Sequence, residues 1–386
     1  MKKIISLIIV IIILLVGFYI IENKYGLLEK KNLSSNKTKK KYKEIPDGIF
    51  KDYYKQAQDI VDEMTIEEKI GQLFLVRYEK NDTTYLNNFY PGGYILFAKD
   101  FNNHTKEQMA KELKDLQGIS KYPLILGVDE EGGYVTRVSR YPAFRSEKFK
   151  SPRDYYLEGG YDLLEQTEKE KAELLKSIGL NLNLAPVADI STNEDDFIYI
   201  RTFGEDADKT SEYVTKMVGY ANSNKINSTL KHFPGYGNNS DTHTGVAIDK
   251  RECSVFEEND YKPFEAGIKA NVPSILISHN IVTCLDENIP SSLSSKVIGE
   301  LRNKLGFTGI IMTDDLAMDA VKEYVDNGKA ATMAINAGND MIITSDFMSM
   351  KNELINSVKS KEISEDTINK AVTRVIAWKY YSGLLK

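Results

Sequence analysis

Only two cysteines occur in the 386 residues, Cys253 and Cys284. They have no CxxC spacing and no histidine at metal-site intervals, which excludes a cysteine-based zinc site and a dithiol redox motif; a single disulfide between them stays open. No cysteine precedes Cys253, so lipid attachment at an N-terminal cysteine is excluded too. No GxGxxG or GxxxxGK[ST] follows an early apolar run, so no dinucleotide or nucleoside-triphosphate turn is indicated. The chain also lacks internal repeats and any collagen-like or disordered bias. What it has is enough apolar matter, 42% of residues, to bury one large core.

Charge is unevenly spread. Residues 1–43 hold ten lysines and two glutamates, net +8; with −6 for the whole chain, the remainder carries −14. So acidic a body argues against nucleic acid as a partner. Residues 4–21 run uncharged for eighteen positions, which as a helix would extend about 27 Å, close to the apolar thickness of a bilayer. Gly17 is followed by Phe18, Tyr19 and two isoleucines where a cleaved signal peptide would show small residues, so an uncleaved anchor is expected. The expected organisation is a single-pass membrane anchor over 1–21, a Lys-rich linker over 22–47 and one catalytic domain over 48–386, with no room for a second. The linker reads as a solvated tether or as a patch for anionic headgroups or anionic wall polymer. Lys2 and Lys3 precede the span while eight lysines follow it within residues 24–43, opposite to the usual positive-inside bias. An extracellular body is expected nonetheless, on the strength of the substrate reached below.

Eight β-like runs alternate with helical stretches: 71–77, 92–98, 123–129, 182–190, 227–233, 274–280, 309–315 and 340–345. Most are continuously apolar, as strands covered on both faces should be. Thr65 with Glu68 makes a capping-box pattern, Gly179 stands as a helix stop, and Ile368, Val372, Val375 and Ile376 recur at helical spacing. Eight such units over about 340 residues predict an α/β fold, a (β/α)8 TIM-type barrel. An open doubly wound sheet is the alternative, disfavoured by the missing glycine-rich turn.

In such a barrel, the site is built at the C-terminal ends of the strands. Asp129 ends the third run, Asp189 the fourth, Lys231 and His232 close the fifth, His279 the sixth, and Asp314 with Asp315 the seventh. Five strands are therefore expected to converge on one polar pocket. After the fifth comes "KHFPGYGNNSDTHTG", part of a connection of about twenty residues where 2 to 6 are usual. Within it Asp241 stands two residues from His243. A carboxylate beside an imidazole fixes its tautomer and raises its basicity, which suits a general acid and base. "TDD" offers the complement, a carboxylate at the lip of a buried strand, as a retaining glycosidase needs.

These residues resemble a known family. "MTIEEKIGQL", "GVDEEGGYVTRV", "NLAPVADI", "RTFGED", "KHFPGYGNNSDTHTG" and "GFTGIIMTDDLAM" stand in the order and spacing of the bacterial β-N-acetylglucosaminidases of glycoside hydrolase family 3, over roughly residues 50–385. The resemblance implies Asp314 as nucleophile, Asp241 with His243 as acid/base dyad, and Asp129, Arg137, Arg201, Lys231 and His232 as the grip on the hydroxyls and 2-acetamido group of a terminal N-acetylglucosamine. It implies a retaining exo-acting hydrolase with a carbohydrate substrate, from peptidoglycan fragments given the tether, with no metal or cofactor and acting as a monomer. Departures are Tyr236 for the histidine of "FPGHG", and Glu130 and Tyr134 for the glutamine and arginine of "DQEGGRV"; all three are expected to alter what is accepted beyond the first sugar. A phosphorylase with phosphate in place of water is a variant of the same reading. A family 3 glucosidase or xylosidase would carry a second α/β domain supplying a carboxylate acid. Other classes are a metal-dependent hydrolase using Asp129, His232, His243, His279 and Asp314, and an inactive tethered sugar-binding protein.

Overall fold

The computed structural model describes residues 47–80, 84–239, 245, 247–325 and 328–386. The expected anchor, all of the linker but Asp47, and both members of the Asp241–His243 dyad lie outside the described residues. The chain divides into Met1–Ile45 and Pro46–Lys386; the second unit holds the fold. Among the described residues no helix is long and apolar enough to cross a membrane.

The described strands are β1 (Phe74–Arg77), β2 (Gly93–Leu96), β3 (Ile125–Val128), β4 (Leu182–Asn183), β5 (Asn227–Phe233), β6 (Ile248–Asp249), β7 (Ser274–Ile277), β8 (Ile281–Val282), β9 (Ile310–Thr313) and β10 (Ile342–Thr344). Eight of them form one parallel sheet in the order β10-β1-β2-β3-β4-β5-β7-β9. Asp340 N and Met341 N donate to Ile311 O at 2.8 and 3.1 Å, and Thr313 N donates to Met341 O at 3.1 Å, bringing β10 back to β9. The ring thus nearly closes as a TIM-type barrel, and the open sheet is ruled out. Every barrel strand falls inside its apolar run, and nearly every strand residue is buried, because interior and helix layer cover the two faces.

The helix signals act as read. Thr65 Oγ1 accepts from Glu68 N at 3.3 Å while Glu68 Oε2 accepts from Thr65 N at 3.0 Å, opening the helix Ile66–Gln72. Gly179, at φ 91°, turns the chain out of the helix Pro152–Ser177. The last helix, Glu365–Tyr381, buries Ile368, Val372, Val375 and Ile376 together with Trp378. Burial of each such side chain is worth about 1.5–3 kcal/mol. Trp378 Nε1 donates to Asn227 Oδ1 at 2.9 Å, tying this helix to the start of β5.

The long connection after β5 is fastened at its base. β6 pairs with β8 in a separate two-stranded sheet, with Ile248 against Ile281 and Asp249 against Val282. Arg251 forks between Asp249 at 2.8 Å and Asp260 at 3.1 Å. Cys253 and Cys284, 31 positions apart with their Cα atoms 5.5 Å from each other, form a disulfide, which settles the pairing that spacing left open. Closing a loop of this length stabilises by roughly 3–4 kcal/mol through the unfolded chain. Cys253→Ser with Cys284→Ser should therefore lower the unfolding free energy by about 3 kcal/mol in urea titrations. The wild-type protein unfolded under reducing conditions should show the same loss, and an unchanged midpoint in both would show the bridge to be idle.

Candidate active site

The ends of β2, β3, β5, β7, β9 and β10 surround a cavity of about 560 Å3. Its charged lining is Asp129, Glu131, Arg137, Arg201, Lys231, Asp314 and Asp315, with His232 beside them; Ile95, Phe97, Leu184, Leu276, Met318 and Ile343 supply apolar wall.

At its heart is a buried ionic cluster. Lys231, pointing in from β5, places Nζ 2.7 Å from Asp129 Oδ1 and 2.6 Å from Glu131 Oε1. Arg201, on the single turn Tyr199–Arg201, donates to the same carboxylate through Nε at 3.1 Å and Nη2 at 2.8 Å. Burial alone would push the Glu131 carboxyl upward, but the charges of Arg201 and Lys231 prevail and hold it far below the usual carboxylate range. Removing four charges from water is costly, and only mutual pairing with further hydrogen bonds offsets it. The Arg137 guanidinium stands 3.9 Å from Asp129 and lies over the Phe97 ring at 5.5 Å.

His232 is aimed from behind. Its Nδ1 donates to Asp189 Oδ2 at 2.7 Å, and its backbone N–H meets the same oxygen at 3.0 Å. Nε2 then faces Arg201 Nη2 at 3.2 Å, so the tautomer protonated at Nδ1 satisfies both neighbours. Asp189 Oδ1 accepts from Tyr236 N at 2.7 Å. This carboxylate is buried and does not line the cavity, contrary to the expectation drawn from its place at the end of the fourth run. The same holds for His279. Its Nε2 donates to the carbonyl of Asp315 at 3.0 Å and its Nδ1 meets Ser292 Oγ at 2.8 Å, so the ring props the turn after β9 and stands behind the pocket.

The two aspartates of "TDD" separate by their partners. Asp315 Oδ1 accepts from Ala317 N at 2.9 Å and Ser345 N at 3.2 Å, which makes it a turn-building group. Burial raises its carboxyl above the usual value against those bonds. Asp314 Oδ1 accepts from Asp315 N at 2.8 Å, and its backbone N–H is fixed to Ile277 O at 3.0 Å. The carboxylate is thereby oriented at the cavity wall, directly past the last residue of β9.

All five residues expected to hold the sugar, Asp129, Arg137, Arg201, Lys231 and His232, line the same cavity as Asp314. Glu131 was not among them, although it is the hub. A signal existed: Glu131 is two positions beyond Asp129, and residues two apart in extended chain share a face.

Comparison with known proteins agrees with this geometry. The profile of the glycosyl hydrolase family 3 N terminal domain matches residues 65–378. The chain belongs to glycosyl hydrolase family 3. It is 30% identical over 294 residues to a beta-hexosaminidase of Nitrosomonas eutropha, which takes in 75% of this chain and 83% of that one. A beta-hexosaminidase of Methylobacillus flagellatus is 29% identical over 275 residues, 69% of this chain and 77% of that one. A solved glycoside hydrolase family 3 beta-N-acetylglucosaminidase from Paenibacillus sp. superposes with a TM-score of 0.77 at 27% identity, covering 83% of this chain. The chain spans 63% of that structure's length. The protein is a glycoside hydrolase, and the barrel falls within the residues matched by the family's N terminal domain.

Two departures from the family motif take on a different meaning in this frame. Glu130 is fully buried, and its carboxylate accepts from the backbone N–H groups of Arg137 and Val138 at 2.7 Å each and of Ser139 at 3.2 Å. It holds the loop that carries Arg137 and does not line the cavity, which corrects the expectation for this position. Tyr236 is buried as well, its ring 5.6 Å from that of His232. Tyr134 is exposed and lines the cavity.

Glu131→Gln should cost about 3–5 kcal/mol of stability, because two buried cations lose their shared counter-charge. Urea unfolding at pH 7 measures it. Since the native pKa is depressed, the stabilisation from Glu131 is fully present above the ordinary value of 4.5 and is lost only as pH falls below that value toward the native one. The deficit of the variant against wild type should accordingly narrow in strongly acidic buffer; a deficit that grew instead would contradict the ionised hub.

Proposed function

We propose that this family 3 enzyme is a retaining exo-β-N-acetylglucosaminidase that removes terminal N-acetylglucosamine from β-linked glycans. The observation carrying the proposal is the Asp314 carboxylate at the lip of β9, lining one cavity with Lys231, Asp129, Glu131, Arg201 and His232. A hexosamine presents hydroxyls and an acetamido group, and this set of paired donors and acceptors is suited to reading them. The names of the relatives, beta-hexosaminidase and beta-N-acetylglucosaminidase, support the same class of sugar.

The proposed reaction has two steps. Asp314 attacks the anomeric carbon, expelling the aglycone and forming a glycosyl ester, while His243 gives its proton to the leaving oxygen; water, deprotonated by His243, then opens the ester with configuration retained. Asp241 orients that imidazole. The acid is assigned to this pair partly by exclusion among the described carboxyls of the cavity. Glu131 is locked in its ionised form by Arg201 and Lys231, Asp129 is bonded to Lys231, and Asp315 builds a turn.

An extracellular location, with residues 4–21 as a membrane anchor and peptidoglycan fragments as substrate, completes the proposal. It is supported by the uncharged apolar run and by the Cys253–Cys284 disulfide, which persists in oxidising compartments.

Proton NMR of the products from a synthetic β-N-acetylglucosaminide, with and without phosphate, tests sugar, stereochemistry and acceptor together. Free β-N-acetylglucosamine in both samples is expected; a sugar phosphate would make the enzyme a phosphorylase, and no cleavage would refute the proposal. Asp314→Asn should abolish turnover. His243→Ala should slow disaccharide cleavage by roughly 10²–10⁴-fold while sparing substrates with activated aryl leaving groups, and equal losses on both would remove His243 from the acid role.

A further inference from the structure

Single exposed apolar side chains are ordinary on a protein surface, but several gathered at one mouth indicate binding. Among the described residues the large exposed ones are Ile119, Tyr134, Leu157, Phe197, Ile200 and Ile248. Tyr134, Phe197 and Ile200 all line the cavity that holds Asp314, at 73%, 40% and 53% exposure. They come from two different connections, Tyr134 from that after β3 and the other two from that after β4.

Phe197 is also backed. Its ring lies 5.9 Å from that of Tyr236, which in turn meets His232 edge-on at 5.6 Å. An unbroken aromatic series therefore runs from the rim to a ring inside the polar pocket, so the rim is placed by the same contacts as the pocket. The cavity has two chemical parts. The ionic cluster offers hydrogen bonds to the edge of a sugar, and the rim offers flat carbon surface. A pyranose has matching parts, hydroxyl edges and C–H faces, and a second ring joined to the one cleaved would extend past the polar part.

We infer that Phe197 and Ile200, with Tyr134, form a platform for the C–H face of the second sugar ring and so set the enzyme's preference for glycans over glycosides with small aglycones. This rests on the proposed function, because it takes the polar part of the cavity as the seat of the terminal sugar. The platform brings aromatic and aliphatic surface and no charged group of its own, so what it meets is the carbon face of a pyranose, whatever substituents the edge of that ring carries.

The test compares kcat/KM for N,N'-diacetylchitobiose with that for methyl β-N-acetylglucosaminide, two substrates that differ only in aglycone. In Phe197→Ala/Ile200→Ser the ratio should fall about tenfold, with the change in KM for the disaccharide, because stacking is made in the ground state and kept in the transition state. Phe197→Tyr, which keeps the ring, should restore the ratio. Leu157→Ser, an exposed apolar residue outside the cavity, should leave it at the wild-type value. A ratio unchanged within twofold in the double variant, or lowered equally by Leu157→Ser, overturns the platform while the proposed function stands. A wild-type enzyme that cleaves neither substrate overturns both.

Discussion

The site depends on one arrangement, the Lys231 ammonium held between Asp129 and Glu131 with Arg201 closing the far side of Glu131. Four charges taken out of water tolerate little displacement, because any lengthening exposes a desolvation cost that pairing no longer offsets. That rigidity is what a polar ligand needs, since hydrogen-bond recognition fails with small misplacements. It also joins three separate connections, after β3, after β4 and at the end of β5, into one body. The barrel brings these strand ends to one face; the charges then fix how the loops above them settle.

A second layer serves this cluster without entering the cavity. Asp189 fixes the ring and backbone of His232 and the backbone of Tyr236, so one carboxylate sets the end of β5 and the start of the long connection after it. His279 grips the carbonyl of Asp315, and Asp315 grips two backbone N–H groups in turn, which sets the turn on which Asp314 lines the cavity. The opposite end of the strands uses charge differently. Asp340 is clamped by Arg302 and Arg374, and Lys379 is buried against Gln72, burial lowering its pKa to about 7. These groups are spent on closing the barrel, whereas those at the C-terminal end still face a cavity.

The barrel was legible in the sequence because strands covered on both faces must be apolar throughout, and eight such runs with capped helices between them leave few alternatives. Asp129, Lys231, His232 and Asp314 were legible because a charge ending an apolar strand has only the mouth to occupy. Glu131 was hidden among three successive acids in "DEE", where only the alternation of extended chain distinguishes the hub from Glu130. Asp189 and His279 were misplaced for a deeper reason. Their roles are set by partners 43 and 36 positions away, and a strand-end position does not say whether a side chain points into the mouth or behind it. The pairing of β6 with β8 involves two residues on each side, too few for any periodicity, and the disulfide could not be inferred from two cysteines 31 apart.

The proposed mechanism also explains why an imidazole, and not a carboxyl, suits the acid in this cavity. Four acids, Asp129, Glu131, Asp314 and Asp315, already line it beside Arg137, Arg201 and Lys231. Another carboxyl would interact with the Asp314 carboxylate so that one of the pair is forced to hold a proton, and nothing guarantees that the nucleophile is the ionised one. A carboxylate and an imidazolium move each other in the productive direction: the carboxylate favours the protonated ring, and the ring favours the ionised nucleophile. The same coupling reverses the roles for the second step. In the proposed second step Asp314 would be esterified to the sugar and its charge gone, so the ring would lose that reason to stay protonated and, having given its proton to the aglycone, would be neutral and ready to take one from water. With Asp241 orienting the ring in both states, as the proposed mechanism has it, a change in charge at one carboxylate would be enough to turn the acid into the base.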